Sequence, residues 1–151
     1  LLVADEPTTA LDVTTQREIL ALLQGLAAAR GLALLFVTHD FGVLASLCES
    51  VTVLYAGRVA ETGPTRDVLD DPRHPYTRML LGCHPDRATA LAGIPGTVPG
   101  ATAQPDGCRF HPRCPLARGD CALDVPQPVL HQGRVIACPY HAEALPEVAL
   151  A

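Results

Sequence analysis

Two adjacent carboxylates, Asp5 and Glu6, follow an apolar run at the start of the chain. Runs of this kind form buried strands in α/β proteins, and the carboxyl ends of such strands are where these folds bind ligands. Two acids at that point suit phosphoryl transfer. One can hold Mg²⁺ through its water shell, while the other orients or deprotonates an attacking water. The alternative is a pair of solvated acids in a turn, since short motifs also arise by chance.

A second group with chemical potential lies in the last third of the chain, where four of the six cysteines are spaced C-x5-C-x6-C-x16-C. These are Cys108, Cys114, Cys121 and Cys138. Four thiolates can satisfy a tetrahedral Zn²⁺ or the irons of a 4Fe–4S cluster. Structural zinc sites usually bring ligand pairs closer in sequence, and wider spacing on loops suits a cluster. Zinc, free thiols and oxidised pairs stay open, and His111 and His141 are possible substitute ligands.

The acid pair needs a helix after its strand to hold the intervening loop. Asp12 is a suitable N-cap, and residues 13–30 have helical spacing of apolar residues. The predicted apolar stripe consists of Ile19, Leu22, Leu23 and Leu26. Gly31 is expected to end this helix.

Residues 32–38 form the next predicted buried strand, and it too ends in polar residues, His39 and Asp40. A short amphipathic helix over 41–48 follows, with Cys48 on its apolar side as a small buried residue. A lone histidine is usually structural or exposed, so the residue type alone assigns His39 no role.

Two further strands are predicted over 50–55 and 58–61, around a turn that contains glycine. Residues 62–64 (TGP) should break the second strand and open a short helix that runs through Leu69. The alternation of strands and helices predicts an α/β fold with a largely parallel sheet.

The composition changes after residue 72. Residues 74–81 (HPYTRMLL) predict a compact amphipathic helix, with Pro75 allowed in its first turn. Residues 82–107 are rich in proline, glycine and alanine and predict an extended connector. Cys83 has no motif around it and stays unassigned, and the last ten residues are expected to form a frayed tail.

The composition limits the class of protein. A chain of 151 residues is about one domain by length. Its net charge of −5, without basic clusters, argues against nucleic-acid binding. No apolar stretch approaches the roughly 20 residues needed to span a bilayer, and no signal peptide is visible. We therefore expect a soluble, cytosolic chain whose association with any membrane comes through protein partners.

The string DEPTTALD, residues 5–12, resembles the Walker B segment and D-loop of ATP-binding-cassette (ABC) ATPases. The resemblance implies that Asp5 holds Mg²⁺ through water and that Glu6 polarises the attacking water. It implies that Asp12 is the D-loop aspartate, which communicates across the interface of two ATPases. His39, in FVTHD, resembles the switch histidine that contacts the γ-phosphate of ATP and helps to position the water. The ATP chemistry implied here also indicates a reducing compartment, where clustered cysteines are typically metal ligands.

Other motifs of these ATPases are missing from the sequence. No segment resembles the phosphate-binding loop G-x-x-x-x-G-K-[ST], and all eleven basic residues are arginine. No glycine-rich signature of the LSGGQ kind is present either. Because the only methionine is Met79, we expect the sequence to be the C-terminal part of a longer protein, starting at Walker B. Alone, it should neither bind ATP tightly nor hydrolyse it.

The segment 74–81, together with GCRFHPRCP at 107–115 and the later cysteines, resembles the C-terminal extension of oligopeptide and dipeptide importer ATPases; nickel importers carry a similar one. The resemblance implies four segments: the C-terminal part of an ABC ATPase domain (1–72), an importer-type helix and connector (73–107), a cysteine module (108–141) and a tail (142–151). It also points to a 4Fe–4S cluster on the four cysteines, with a structural role.

The function implied is ATP binding and hydrolysis that drive peptide import. The implied partners are a second ATPase subunit, of the same or a sister chain, the membrane permease subunits and, indirectly, an extracytoplasmic substrate-binding protein. The expected location is the cytoplasmic face of the cell membrane. A nickel or other solute importer, and a metal-stabilised interaction module without catalysis, are the alternatives.

Overall fold

The structure, a computed structural model, describes residues 1–84 and 93–145. The chain consists of two compact units, Leu1–Glu49 and Ser50–Ala151. This division falls at a different place from the predicted boundaries at 72 and 107, which separate segments by their implied roles and stay predictions.

The first unit has the order β1 (Leu2–Asp5), α1 (Val13–Arg30), β2 (Leu34–Val37) and α2 (Phe41–Leu47). Strands β1 and β2 pair in parallel, as the sequence predicted for buried strands joined through a helix. The predicted bounds of α1 are confirmed, and Gly31 ends the helix in the left-handed conformation, with φ 60°.

One face of this two-stranded sheet carries the core of the first unit. Ala4 and Phe36 are buried there with Val43 of α2. The predicted stripe on α1 is wrong in part: Leu20 and Leu23 pack on this core, whereas Leu22 and Leu26 are exposed. Leucines lie on several sides of α1, so the spacing did not single out the buried side.

The opposite face of the same sheet is apolar and uncovered. Its side chains are Val3, Leu35 and Val37, which are 57%, 52% and 47% exposed. Parallel sheets are normally covered on both faces, because their backbone and side chains are buried on each side. The sheet of the first unit therefore has apolar side chains on both faces, and one of these faces is exposed to solvent.

The second unit begins with β3 (Ser50–Tyr55), β4 (Arg58–Pro64), α3 (Thr65–Asp70) and α4 (Pro75–Gly82). Two short 3-10 helices follow, and then β5 (Val129–His131) and β6 (Arg134–Ile136). The four strands form one sheet in the order β3-β4-β6-β5, and each neighbouring pair is antiparallel. The expectation of a largely parallel sheet therefore holds for β1 and β2 but is wrong for this unit.

The predicted break at 62–64 is also wrong, because β4 continues through Pro64. Thr62 and Gly63 pair with Thr52 and Val51 of β3. Gly63 is required by packing, since a Cβ atom there would lie 2.5 Å from Cγ of Arg134. The glycine makes room for this side chain and does not interrupt the strand.

The connector and the tail were predicted to lack regular structure. Of the connector predicted over 82–107, Gly82 ends helix α4, and residues 83–84 and 93–107 contain no helix or strand; residues 85–92 lie outside the described residues. The start of the tail is packed and not frayed, because Arg78 donates to the carbonyl of Glu143 and Leu145 packs on the aromatic core. Residues 146–151 lie outside the described residues.

A buried carboxylate organises the second unit. Glu61 of β4 is completely buried. Its oxygens accept hydrogen bonds from the backbone N–H of Arg73, at 3.1 and 3.0 Å, and of His74, at 2.9 Å. The guanidinium of Arg134, which is 2% exposed, lies 3.7 Å away. The carboxylate thus connects β4, β6 and the loop before α4.

We predict that Glu61→Ala lowers the free energy of unfolding by about 3–5 kcal/mol, because it leaves a buried guanidinium and two backbone N–H groups without this acceptor. Chemical denaturation of the chain measures the loss. Glu49→Ala, at an exposed carboxylate, is the control and should change stability little. Replacing Glu61 and Arg134 together by methionine should cost less than Glu61→Ala. Equal effects of Glu61→Ala and Glu49→Ala would refute the prediction.

Candidate functional site

Two parallel strand ends bring the first candidate site together. Asp5 ends β1 and pairs with Val37, the last residue of β2. The ladder extends one residue further, because the N–H of Glu6 donates to the carbonyl of Val37 at 2.9 Å. Glu6 and His39 therefore leave the sheet at the same edge, as parallel strands require.

The side chains of Glu6 and His39 are in direct contact. Nδ1 of His39 lies 3.1 Å from Oε1 of Glu6. The hydroxyl of Thr9 donates to the other carboxylate oxygen, Oε2, at 3.1 Å. The hydrogen bond from His39, followed by that from Thr9, lowers the pKa of Glu6 below its usual value. At neutral pH the group is therefore a charged acceptor with a fixed orientation.

The loop that carries this carboxylate has an uncommon backbone. Glu6 and Ala10 have φ angles of 43° and 65°, in the left-handed region that residues other than glycine rarely adopt. The N–H of Thr9 donates to the carbonyl of Glu6 at 3.1 Å, which closes the turn. Backbone of this kind is concentrated at functional sites, where surrounding structure holds it in place.

Asp12 acts in the structure as the predicted N-cap of α1. Its Oδ1 accepts from the N–H groups of Thr14 and Thr15 at 3.0 and 3.1 Å, and Oδ2 accepts from the hydroxyl of Thr15 at 2.7 Å. These bonds, with the Thr15 hydroxyl foremost, lower the pKa of Asp12. Its predicted D-loop role across an ATPase interface stays a prediction.

The sequence pattern did not single out the residue that holds His39 in place. Asp40 caps α2, since its Oδ1 accepts from the N–H groups of Gly42 and Val43 at 2.8 and 3.1 Å. Its Oδ2 accepts from Nε2 of Gln16 on α1 at 3.1 Å. An aspartate directly before an apolar helix is a recognisable cap signal. The consequence is that His39 lies between a paired strand and a capped helix.

Removing the imidazole should change the acidity of Glu6 in a predictable direction. We expect His39→Ala to raise the pKa of Glu6 towards its ordinary value, because the hydrogen bond that contributes most to lowering this pKa is lost. A pH titration of Glu6 by carbon NMR, without Mg²⁺, measures this. Thr9→Val should raise it less, and Glu49→Gln should leave it unchanged. A Glu6 titration that is the same with and without His39 would show that the contact does not form in solution.

The second candidate site is a small cavity in the second unit. All four cysteines of the C-x5-C-x6-C-x16-C pattern line it, and all are free thiols. Other walls are apolar or aromatic and include Phe110 and Leu116. The structure thus brings together residues that are up to 30 positions apart in the sequence.

Local turns place these cysteines around the cavity. The N–H of Cys108 donates to the carbonyl of Cys121 at 2.8 Å, which joins the two loops. Gly107, with φ 62°, allows this approach, because a Cβ atom there would lie 2.5 Å from the same carbonyl oxygen. The 3-10 helices His111–Arg113 and Gly119–Ala122 form the turns next to Cys108 and around Cys121.

The two histidines considered as substitute ligands are in equivalent positions. Nδ1 of His111 lies 2.9 Å from the carbonyl of Cys108, and Nδ1 of His141 lies 2.9 Å from that of Cys138. Each ring is therefore bonded to the cysteine three residues earlier. Neither histidine lines the cavity. Both histidines therefore help to fix the conformation of the loops that carry the cysteines.

The thiols are in a poor environment for an isolated negative charge. Burial raises the pKa of Cys114 to about 12 and that of Cys138 to about 11, and it also raises the pKa of Cys108. Thiolates become favourable there only when a cation supplies compensating charge, and metal binding then releases protons. Thiolates are ligands for both zinc and iron–sulfur clusters.

The arrangement of His, Cys, Asp and Glu side chains bears on whether the protein could hold a single metal ion. Within residues 1–84 and 93–145, no three His, Cys, Asp or Glu side chains converge closely enough to hold one metal ion. The four thiols surround a cavity instead of meeting at a point.

His74 is a site residue that the sequence pattern did not single out. It lines the cysteine cavity and is 4% exposed. Its Nδ1 accepts from the N–H of Tyr76 at 3.0 Å, so it caps α4, with Pro75 as the first residue of the helix. Burial lowers its pKa to about 4, so the ring is neutral at physiological pH.

Tyr76, the third residue of the HPY segment, belongs to an aromatic cluster. Its ring lies 4.6 Å from that of Tyr55 and 5.4 Å from that of Phe110, between centroids. Tyr55 and Phe110 are 5.0 Å apart, edge to face. The HPY segment thus combines a cap, a proline suited to a first helical turn and an aromatic anchor. A histidine directly before a proline at a helix start was the available signal.

Comparisons with known proteins agree with this arrangement. Residues 60–121 match the family described as the oligopeptide/dipeptide transporter C-terminal region. The chain is 53% identical over 124 residues to the probable D,D-dipeptide transport ATP-binding protein DdpD of Escherichia coli strain K12, covering 80% of the chain and 38% of the relative. It is 44% identical over 144 residues to the dipeptide transport ATP-binding protein DppD of the same organism, covering 93% of the chain and 44% of the relative.

Most of the chain is thus similar to ATP-binding proteins of dipeptide transport. Residues 60–121 carry the C-terminal region of the oligopeptide/dipeptide transporter family. The chain spans about two fifths of the length of these relatives, 38% and 44%. No helix in the described ranges is long and apolar enough to cross a membrane.

Proposed function

We propose that the chain is part of the ATP-binding and ATP-hydrolysing subunit of an importer for dipeptides or oligopeptides. The observation that carries this proposal is the contact between Glu6 and His39 at the ends of two parallel strands. The similarity to transport ATP-binding proteins supports the substrate class. A second ATPase subunit, permease subunits at the cytoplasmic face of the membrane and, indirectly, a substrate-binding protein are the proposed partners.

Each residue of the first site has a proposed task in hydrolysis. Asp5, with an exposed side chain at the strand end, holds Mg²⁺ through water. Glu6, charged and oriented by two hydrogen bonds, accepts a hydrogen bond from the attacking water and draws its proton away. His39 touches the γ-phosphate and orients Glu6, and Asp12 acts at the interface with the second ATPase. Positioning and charge are what phosphoryl transfer requires of a protein.

The open face of the first unit supports a larger ATPase domain. Val3, Leu35 and Val37 form an apolar sheet surface, and sheets of this type are covered by helices and by further strands. The sequence also contains no phosphate-binding loop and no lysine. We propose that residues 1–72 complete an ATPase domain together with a preceding segment, and that this chain alone does not turn over ATP.

The decisive variant is Glu6→Gln, made in a protein with the whole ATPase domain. We expect hydrolysis to fall at least about 100-fold, as for loss of a general base, while ATP binding is retained because the amide still fits the site. Phosphate release and nucleotide binding are measured on the same preparation, and peptide uptake by the assembled transporter should stop. Glu49→Gln is the matched control at an exposed carboxylate.

Unchanged hydrolysis in Glu6→Gln would refute the assigned role of Glu6. Hydrolysis that never appears in the whole-domain protein would instead favour an interaction module without catalysis. The separate packing of the second unit supports that second candidate. Uptake of nickel, and not of peptides, by an active transporter would favour the alternative solute class.

For the second site we propose a 4Fe–4S cluster in a module over 108–141, reached through the helix and connector of 73–107 and followed by a tail over 142–151. Four free thiols around one apolar cavity support the cluster. When bound, it supplies ligation energy to a module with few bulky apolar residues. The chain's own loops orient the thiols through the bond between Cys108 and Cys121.

Iron, sulfide and zinc content of anaerobically purified chain tests this proposal. We expect about four irons and four sulfides per chain, with loss of both in Cys114→Ser. Cys83→Ser, at a cysteine outside the cavity, is the matched control and should keep the full content. One zinc per chain, or equal loss in both variants, would contradict a cluster on these four cysteines.

A further inference from the structure

We propose that Tyr140 clamps the loop of Cys121 to the loop of Cys138 and closes the solvent side of the thiol cavity. The clamp then controls how easily solutes reach the cysteines. Its effect on metal exchange rests on the metal site proposed above, whereas its effect on the thiols themselves does not.

The cavity has a buried side and a side that faces solvent. Phe110 and Pro75 line it from within the second unit, and both are buried. Pro139 and Tyr140 also line it, but Pro139 is exposed and Tyr140 is half-buried. A solute that reaches the cavity therefore passes the segment that follows Cys138.

The side chain of Tyr140 is held at two points by residues next to Cys121. Its hydroxyl donates to Oδ2 of Asp120. The guanidinium carbon of Arg118 lies 4.0 Å from the centroid of its ring, in a cation–π contact. Tyr140 follows Cys138 by two residues, and Asp120 directly precedes Cys121. The two contacts therefore join the loops that carry these cysteines.

Arg118 connects the clamp to a thiol. Its backbone N–H donates to Sγ of Cys121, at 3.5 Å. Its Nη2 donates to the two carboxylate oxygens of Glu143, at 2.6 and 2.8 Å. One residue thus contacts a cysteine of the cavity, the ring in the cavity wall and the segment that follows this ring. Hydrogen bonds to ligand atoms orient them for a metal.

The segment that carries Tyr140 has a separate anchor on helix α4. Nη2 of Arg78 donates to the carbonyl of His141 at 2.6 Å, and Nη1 donates to that of Glu143. The residues of the clamp on the other loop are exposed, and contacts between exposed groups are individually weak. Regions held in this way open locally while the rest of the protein stays folded. The clamp can therefore release the cavity without unfolding the second unit.

Four substitutions separate the clamp from general stability. Tyr140→Ala removes the ring and both of its contacts. Tyr140→Phe and Asp120→Ala remove the same hydrogen bond from its two ends and leave the ring in place. Asp124→Ala, at an exposed carboxylate on the same loop, is the matched control. Val68→Ala, at a fully buried residue of α3 outside the clamp, lowers stability.

The measurement is the rate at which iodoacetamide alkylates each cysteine of the metal-free full chain, read by mass spectrometry, with unfolding measured alongside. We expect Tyr140→Ala to speed alkylation of Cys121 and Cys138 about 5-fold or more, because local opening becomes easier. Tyr140→Phe and Asp120→Ala should each give a smaller rise. Combining them should add nothing, because both break one bond. The two controls should match the parent.

Alkylation of Cys121 and Cys138 at the parent rate in Tyr140→Ala would overturn the clamp. An equal rise in Val68→Ala would also overturn it, because exposure of the thiols would then follow the stability of the whole unit. Additive effects of Tyr140→Phe and Asp120→Ala would contradict the bond between them.

Metal exchange is the second readout. In chain purified with iron or zinc, a chelator should remove the metal faster from Tyr140→Ala than from the parent. Equal removal rates would overturn control of metal access by the clamp. A parent chain without metal would overturn the metal site proposed above, while the alkylation rates of the same chain still decide whether the clamp closes the cavity.

Discussion

The second unit of the chain depends on a single buried carboxylate. Glu61 is fully enclosed at the point where β4 meets the loop before α4 and strand β6. An unpaired charge in that position would cost several kcal/mol. The cost is offset by hydrogen bonds from the N–H groups of Arg73 and His74 and by the guanidinium of Arg134. These partners come from separate parts of the sequence, so satisfying one charge fixes the positions of several elements.

Arg134 extends the same constraint to helix α3. Its Nη1 donates to the carbonyls of Asp67 and Asp71, at 2.9 and 2.6 Å, near the end of that helix. A cation is favoured there because the last carbonyls of a helix lack partners and carry partial negative charge. The arginine thus joins α3 to β6, the strand that ends two residues before Cys138. For this reason the hairpin β3–β4 and the cysteine region share one sheet.

The sequence was most informative where an element is determined by its own residues. Helix α1 begins at Val13 because Asp12 caps it and ends at Gly31 because glycine tolerates the left-handed conformation. The contact between Glu6 and His39 was also accessible, since two parallel strands end at the same edge. The two ends of α1 are set by neighbouring residues, and the edge shared by Glu6 and His39 follows from the parallel pairing of two strands.

The features that sequence reasoning missed depend on partners far away in the chain. Gly63 was taken as a break, although it makes room for a side chain 71 positions later. Strands β5 and β6 have three residues each, which is too short for an alternating pattern to be recognised. His74 was read as part of an amphipathic helix, and its bond to Glu61 becomes apparent only when β4 lies next to the loop before α4.

The two candidate sites differ in what their interactions contribute to folding. Glu6 and His39 are exposed, with side chains 46% and 75% accessible, and solvent-exposed pairs of this kind add little stability. Glu6 also has a backbone conformation that is unfavourable for its residue type. Glu6 is therefore strained, and its contact with His39 adds little to the stability of the fold. Both observations support a chemical role for this pair. The four cysteines, of which Cys138 is buried and the others half-buried, and the buried His74 have the opposite character. Their contacts also hold the second unit together, so for them a ligand role and a structural role are compatible.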